Sequence, residues 1–296
     1  MKKKIVLIVG ILIVVLLSMV SCSAISTMLN RSNTVNYQVD IRDLENANVG
    51  TAVASNSIKS CVRIVSTFNV AGDLRTVSGA GFVITTDGYV ITNRHVVVQY
   101  VSSYMSTSTN MEKTSTYNKA LEPTEIKVVF ADNTYYIADL EYYLDAEGEI
   151  DLAILKMKDT GAIVFDRLQV DKTSTLYYGQ SVFTFGNPEG MGLLFTTANI
   201  ANPSMKLSTD GKYEFIMLDG NINHGNSGGV LLDGNSKVIG VVFARVESKA
   251  GSNTNAYGIG CAIKSKDLIS FIKSYEDYLS IAYDEYKPTS TTDEEE

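Results

Sequence analysis

Residues 223–229 read Asn-His-Gly-Asn-Ser-Gly-Gly, one serine among three glycines in a region otherwise built of strand-like apolar runs. Glycine lets a backbone reach positive φ and lets amide N–H groups come close to a reacting atom. A nucleophilic hydroxyl presented beside exposed N–H donors requires both. Gly225, Ser227 and Gly229 also fit G-x-S-x-G, the strand-turn-helix elbow of doubly wound sheets, in which an acid and then a histidine follow the serine. No histidine follows Ser227, and strands do not alternate with helices along the chain, so that reading fails.

A general base must then come from upstream, where the chain holds His95 and His224 and no other histidine. His224 lies in the same short loop as Ser227, which makes base geometry toward that serine hard to build. His95 sits at the end of a strand-like run, TNRHVVV, where an imidazole among valines needs a polar partner. Asp151 lies inside the apolar run 150–155, a carboxylate where strand packing alone would not put one. His95, Asp151 and Ser227 follow one of the known chain orders of a Ser-His-Asp constellation.

The elements that must position these residues are short. From Thr51 onward, runs such as CVRIVSTF, GAGFVIT, YVITNRHVVV, IKVVF, TYYIADLEYY and IDLAILKM alternate with turn signals at Asp87-Gly88 and Asp132-Asn133. A second series opens at LYYGQSVFTFG and continues through LLFTTANI, YEFIMLD, VLLD, KVIGVVFARV and GIGCAI, with Gly234-Asn235 as a turn. Strands bounded this way, without long helical periodicity, predict an all-β barrel or sandwich. Leu268, Ile269, Ile272, Tyr275 and Leu279 recur at helical spacing, so residues 266–279 are read as a closing amphipathic helix. Residues 99–125, rich in Ser, Thr and Asn, break the rhythm beside His95 and read as a long surface insertion. A lid or docking loop and a plain tolerated loop explain it equally well.

Composition excludes several classes. The formal net charge is −8, but residues 275–296 carry eight acids against one lysine, so the remainder is nearly neutral and offers no nucleic-acid-binding stripe. Two histidines and the cysteines Cys22, Cys61 and Cys261 show no metal-ligand spacing, so no metal and no cofactor is expected. Cys61 and Cys261 each lie in an apolar run and read as buried thiols. Residues 1–22 combine three lysines with a low-polarity run over 5–20, a secretory signal or membrane anchor. Met19-Val20-Ser21-Cys22 resembles a bacterial lipobox with Met in place of the usual Leu, which makes Cys22 the candidate lipidation site. The expected organisation is 1–22 signal or anchor, 23–50 polar linker, 51–165 first strand series, 166–280 second strand series and helix, and 281–296 an acidic disordered tail. Either outcome for 1–22 places the body outside the cytoplasm, and a lipidated Cys22 or a retained anchor tethers it to a membrane.

The blocks GAGFVITTDGYVITNRHVV, DLAILKM, GQSVFTFGNPEG, DGNINHGNSGGVLLD, KVIGVVFARV and GIGCAI, in order over roughly residues 55–272, resemble the trypsin-like serine proteases of the HtrA (DegP-like) type. The resemblance implies two six-stranded antiparallel β-barrels with the site in the cleft between them. It further implies His95 as general base, Asp151 as the residue that fixes its tautomer, Ser227 as nucleophile, and the N–H groups of Gly225 and Ser227 as the oxyanion hole. By position, Asn221 lies at the base of the S1 pocket. Ile222 and the 240–243 strand with Val242 line it, which suggests small or medium uncharged P1 side chains.

Two departures stand out. His224 and Val230 replace the prolines common in NPGNSGGP, which implies a looser loop and low resting activity. Only 35 residues follow Cys261, fewer than the roughly 50 of an independent domain, so no PDZ domain is expected. The leading expectation is an exported, membrane-tethered serine endopeptidase acting on unfolded or exposed polypeptide. The alternative is a peptide-binding or chaperone-like module with little or regulated activity. Residues 24–50, with Tyr37 as their one aromatic, leave homo-oligomer formation open.

Overall fold

The computed structural model describes residues 48–104, 116–145, 149–171, 173, 175–207, 211–220, 222–245 and 258–275. The leader with Cys22, almost all of the linker, Asn221, Leu279 and the acidic tail lie outside the described residues.

Helix α1 (Val49–Ser57) starts at Asn48, whose side chain accepts from the Thr51 N–H and satisfies one of the orphan donors of the first turn. It leads into β1 (Cys61–Val70), β2 (Asp73–Val83) and β3 (Tyr89–Thr92), then the one-turn helix α2 (Arg94–Val97). A hairpin of β4 (Gln99–Tyr104) and β5 (Thr116–Leu121) precedes β6 (Glu125–Phe130), β7 (Tyr135–Tyr143) and β8 (Ala153–Met157). Apart from β4 and β5, these strands close a six-stranded antiparallel barrel in the order β1-β2-β3-β8-β7-β6. The second half supplies β9 (Ser181–Gly186), β10 (Leu194–Met205), β11 (Phe215–Asp219), β12 (Val230–Leu232), β13 (Val238–Arg245) and β14 (Ile259–Lys264). They close a second six-stranded barrel, β10-β11-β14-β13-β12-β9, and helix α3 (Ser265–Ser274) follows. The all-β class read from the strand pattern holds, and the two six-stranded barrels are those the family resemblance implies.

Alternation drives the packing. In β6, Ile126, Val128 and Phe130 are buried while Glu125, Lys127 and Val129 are less so, which gives one face to the barrel interior. That interior holds Val62, Ile64, Val128 and Leu155, and the second barrel's holds Val182, Ile200, Ile216 and Val242. The largest apolar cluster draws on both barrels, with Phe82, Ile91 and Leu152 from the first joined to Phe183, Phe185 and Val230 from the second. Leu268, Ile269, Phe271 and Ile272 of α3 complete this shared layer, so the two barrels pack as one body.

The turns fall where the sequence put them. Gly88 has φ +99, and Asn133 has φ +67 while Asp132 Oδ1 accepts the Thr134 N–H. At the third turn the left-handed residue is Ser236 (φ +61) rather than Gly234, because Asp233 Oδ1 accepts from both Asn235 and Lys237 and winds the loop around itself. Two expectations shift. The segment 99–125 contains paired strands in register from Gln99↔Leu121 to Tyr104↔Thr116. Helix α3 ends at Ser274, since Tyr275 leaves helical geometry at φ −79, ψ 59. Cys61 and Cys261 are buried and are not bonded to each other, and burial pushes the Cys61 thiol well above its ordinary range.

Candidate active site

His95 lies in the one-turn helix α2, not at the end of a strand. β3 stops at Thr92, and the buried Asn93 turns the chain, its side-chain amide donating to the Asp151 carbonyl at 2.7 Å. Asp151 Oδ1 then accepts the His95 backbone N–H at 2.9 Å, satisfying a first-turn donor that no N-cap side chain reaches. The run of valines after His95 favours a strand locally, and this tertiary hydrogen bond overrides it. The second carboxylate oxygen, Oδ2, stands 2.5 Å from His95 Nδ1. Asp151 is 11% exposed and the imidazole 48%, so a shielded carboxylate holds one edge of a ring whose other edge opens to solvent. A pair of this kind fixes the tautomer with Nδ1–H toward the acid and leaves Nε2 free to accept a proton.

Ser227 reaches the same place from the second barrel. Its carbonyl accepts the Ala80 N–H at 2.9 Å, and the Gly228 N–H donates to the Val242 carbonyl. A Cβ on Gly79 would meet Val96, the neighbour of His95, at 2.7 Å and the Ser227 carbonyl at 3.0 Å, so glycine there lets the serine loop and the histidine turn meet. A Cβ on Gly228 would meet the Ala80 carbonyl at 2.2 Å and Thr92 Oγ1 at 2.4 Å. The glycines flagged by the sequence are thus required by close backbone approach. The Ser227 hydroxyl donates to the Phe243 carbonyl at 3.1 Å, so the serine-histidine hydrogen bond is not made in this structure.

The loop that carries Ser227 is held from one side by Asn187 and Glu189. The Asn187 N–H donates to the Gly225 carbonyl and the Glu189 N–H to the His224 carbonyl, each at 3.0 Å. Because a trans peptide sets C=O and N–H on opposite sides, fixing the His224 carbonyl toward Glu189 aims the Gly225 N–H the other way. Among the described residues neither that N–H nor the Ser227 N–H has a backbone acceptor, which leaves two donors available for an anionic oxygen. Asn187 is itself anchored, its side chain donating to Ser78 Oγ at 2.5 Å and accepting the Gly192 N–H at 3.0 Å. These ties reach the loop on both sides of the His224–Gly225 peptide, where His224 stands in the place of proline.

The residues suggested for the S1 pocket are placed differently. Ile222 is 3% exposed and packs onto Gly260, where a Cβ would stand 2.3 Å from Ile222 Cγ1. Val242 is fully buried in the second barrel's interior. Both side chains are thus buried, for a simple reason. Strand alternation turns Val242 inward and leaves Phe243, stacked on Phe215, on the opposite face. Asn221 lies outside the described residues. Sequence reasoning missed Asn93, Asn187 and the Phe243 carbonyl. Asn187 stood in the block GQSVFTFGNPEG, but only its contact with Gly225 reveals its task.

A family model described as "Trypsin-like peptidase domain" matches residues 79–241, more than half of the chain, and the chain belongs to that family. Within it, the chain is similar to HtrA-type proteases. It is 30% identical over 184 residues to a probable periplasmic serine endoprotease, DegP-like, of Bartonella henselae, covering 62% of this chain and 31% of that protein. It is 28% identical over 192 residues to the serine endoprotease DegS of Escherichia coli (strain K12), covering 64% of this chain and 46% of that protein. The chain thus spans from about a third to just under half of the length of these relatives. Among solved structures, the HtrA-type protease AlgW with tripeptide superposes with a TM-score of 0.56 at 23% identity, covering 76% of this chain and 62% of that one, a likeness of fold.

Proposed function

We propose that the chain is an exported, membrane-tethered serine endopeptidase that cleaves unfolded or exposed polypeptides through an acyl-enzyme. The observation that carries this reading is the Asp151 carboxylate bonded at once to the backbone N–H and to Nδ1 of His95, with Ser227 held by glycine contacts against the same turn. In the proposed cycle, a χ1 rotation takes the Ser227 hydroxyl from the Phe243 carbonyl to His95 Nε2. The ring then accepts its proton as Oγ attacks the scissile carbonyl. Asp151 stabilises the resulting imidazolium, and the N–H groups of Gly225 and Ser227 receive the charge on the former carbonyl oxygen. His95 then returns the proton to the leaving amine, and water repeats the sequence to release the acyl group. The names of the DegP-like and DegS relatives, periplasmic in the first case, support an extracytoplasmic endopeptidase, and the lysine-led apolar run at 1–22 supports the tether.

One observation favours a second reading, a module that holds peptides with low or regulated activity. It is the Ser227 hydroxyl bonded to Phe243 rather than to His95. Fluorophosphonate labelling of the full-length chain beside Ser227→Ala, with unfolded casein offered in parallel, separates the two. Labelling and cleavage that vanish in the variant establish the protease. A folded wild-type chain that binds casein and is never labelled supports the holding module.

A further inference from the structure

Strand β2 of the first barrel reaches the serine loop of the second along two routes. The first is direct, the Ala80 N–H donating to the Ser227 carbonyl at 2.9 Å. The second starts two residues earlier, where the half-buried Ser78 presents its hydroxyl oxygen to the side-chain amide of Asn187, 109 positions away in the chain, at 2.5 Å. Asn187 is 1% exposed, so its amide must find partners inside the protein. Its Oδ1 accepts the Gly192 N–H at 3.0 Å, and among the described residues Ser78 Oγ is the one acceptor its NH2 group meets. With one end of the amide pinned by Gly192 and the other by Ser78, the side chain cannot turn without breaking a bond.

The backbone of the same asparagine grips Gly225 twice. Its N–H donates to the Gly225 carbonyl at 3.0 Å, and its own carbonyl oxygen lies 2.1 Å from where a Gly225 Cβ would stand. A displacement of Asn187 is therefore passed to Gly225 by direct contact. We propose that Ser78 is a positioning residue for the oxyanion donor: through the Asn187 amide, the first barrel sets the orientation of the Gly225 N–H in the second. The two routes from β2 divide the work. Ala80 holds the backbone of the nucleophile through main-chain atoms that no substitution at Ser78 removes, and Ser78 holds the donor. Loss of the hydroxyl leaves a buried amide N–H without its acceptor, which a shift of Asn187 toward water relieves, taking Gly225 with it. The catalytic meaning of this inference rests on the protease reading, but the coupling of Ser78 to Gly225 does not.

Full-length chain in detergent is compared as wild type, Ser78→Ala and Ser78→Thr, the last of which keeps the hydroxyl. In casein hydrolysis, Ser78→Ala is expected to lower kcat by about tenfold, a part of the roughly 10²–10³ that complete loss of one oxyanion donor costs. KM should stay within about twofold of wild type, because the donor meets charge that develops only in the transition state, and Ser78→Thr should recover most of kcat. In chain labelled with ¹⁵N-glycine, the Gly225 N–H signal, assigned through Gly225→Ala, is expected to move in Ser78→Ala and to return in Ser78→Thr. An unmoved Gly225 signal or an unchanged kcat in Ser78→Ala overturns the proposal. So does an equal loss of kcat in Ser78→Thr, which would assign the effect to strand packing, or a loss matched by an equal rise of KM. Where alanine disturbs β2, Ser78→Cys nearly keeps the volume, replaces a strong acceptor by a weak one and carries the same expectation. A wild type that fluorophosphonate never labels refutes the protease reading, and the Gly225 signal then decides the coupling by itself.

Discussion

Replacing Gly225 by alanine tests the geometry of the serine loop at its tightest point. A methyl group there meets the Asn187 carbonyl oxygen at 2.1 Å and its carbon at 2.9 Å, with the residue at φ +90. An L side chain in left-handed backbone costs about 1–2 kcal/mol. The clash is between backbone atoms, so no rotamer relieves it, and the segment 187–189 must move. That stretches the hydrogen bonds from the Asn187 and Glu189 N–H groups to Gly225 and His224, each contributing about 0.5–1.5 kcal/mol. Turning the 224–225 peptide relieves the strain most cheaply, and it carries the Gly225 N–H away from the position an oxyanion would occupy. Loss of one such donor slows acyl transfer by about 10²–10³. Gly225→Ala is therefore expected to react with fluorophosphonate and cleave casein slower by that factor. Its melting temperature should fall by several degrees, at about 2–4 °C per kcal/mol for a chain of this size. Gly161→Ala, at φ +57 with nothing within 4 Å of the added methyl, carries backbone strain alone and should label normally. A labelling rate for Gly225→Ala within roughly threefold of wild type, less than 1 kcal/mol in barrier, would refute the role given to this amide.

Three further outcomes are expected. Asp151→Asn keeps the hydrogen bond to the His95 N–H but presents a neutral group to Nδ1, so hydrolysis of casein should fall by about 10⁴ while thermal unfolding changes little. A loss below tenfold would remove Asp151 from the proposed triad. Ile222→Ala opens a core cavity and should cost about 2–5 kcal/mol in urea unfolding, with no change of preference in a P1 peptide library. An altered P1 preference at unchanged stability would return Ile222 to the pocket. The Glu149 carboxyl is held below its ordinary value first by the Lys212 ammonium and then by the Tyr213 hydroxyl. A depressed carboxylate stabilises the fold above its unfolded value of about 4.3 and loses that contribution as pH falls through the lower folded value. Lys212→Ala should therefore melt slightly below wild type at neutral pH, with the gap closing on acidification. A gap that persists unchanged at low pH contradicts this.

The sequence by itself determined the all-β class and the places of most turns, and it offered the three residues of the candidate triad. Each was carried by a local signal: alternation of apolar residues, Asp-Gly and Asp-Asn pairs, a glycine-dense serine loop, and a histidine and an aspartate set among apolar neighbours. Local signals fail where long-range contacts compete with them. The valines after His95 favour extended backbone, yet α2 forms because Asp151, 56 positions away in the chain, supplies the hydrogen bond that its first turn lacks. Ile222 and Val242 read as pocket walls because apolar character is the same in a pocket and in a core. Their burial came only with barrel closure, which sets Gly260 against Ile222 and turns Val242 inward. The task of Asn187 was illegible for the same reason, since a side-chain amide acquires its role from the backbone it meets. What holds the Ser227 loop and flanks the His95–Asp151 pair was decided by tertiary packing, which alone brings β2, the 187–189 turn and the serine loop within hydrogen-bonding distance.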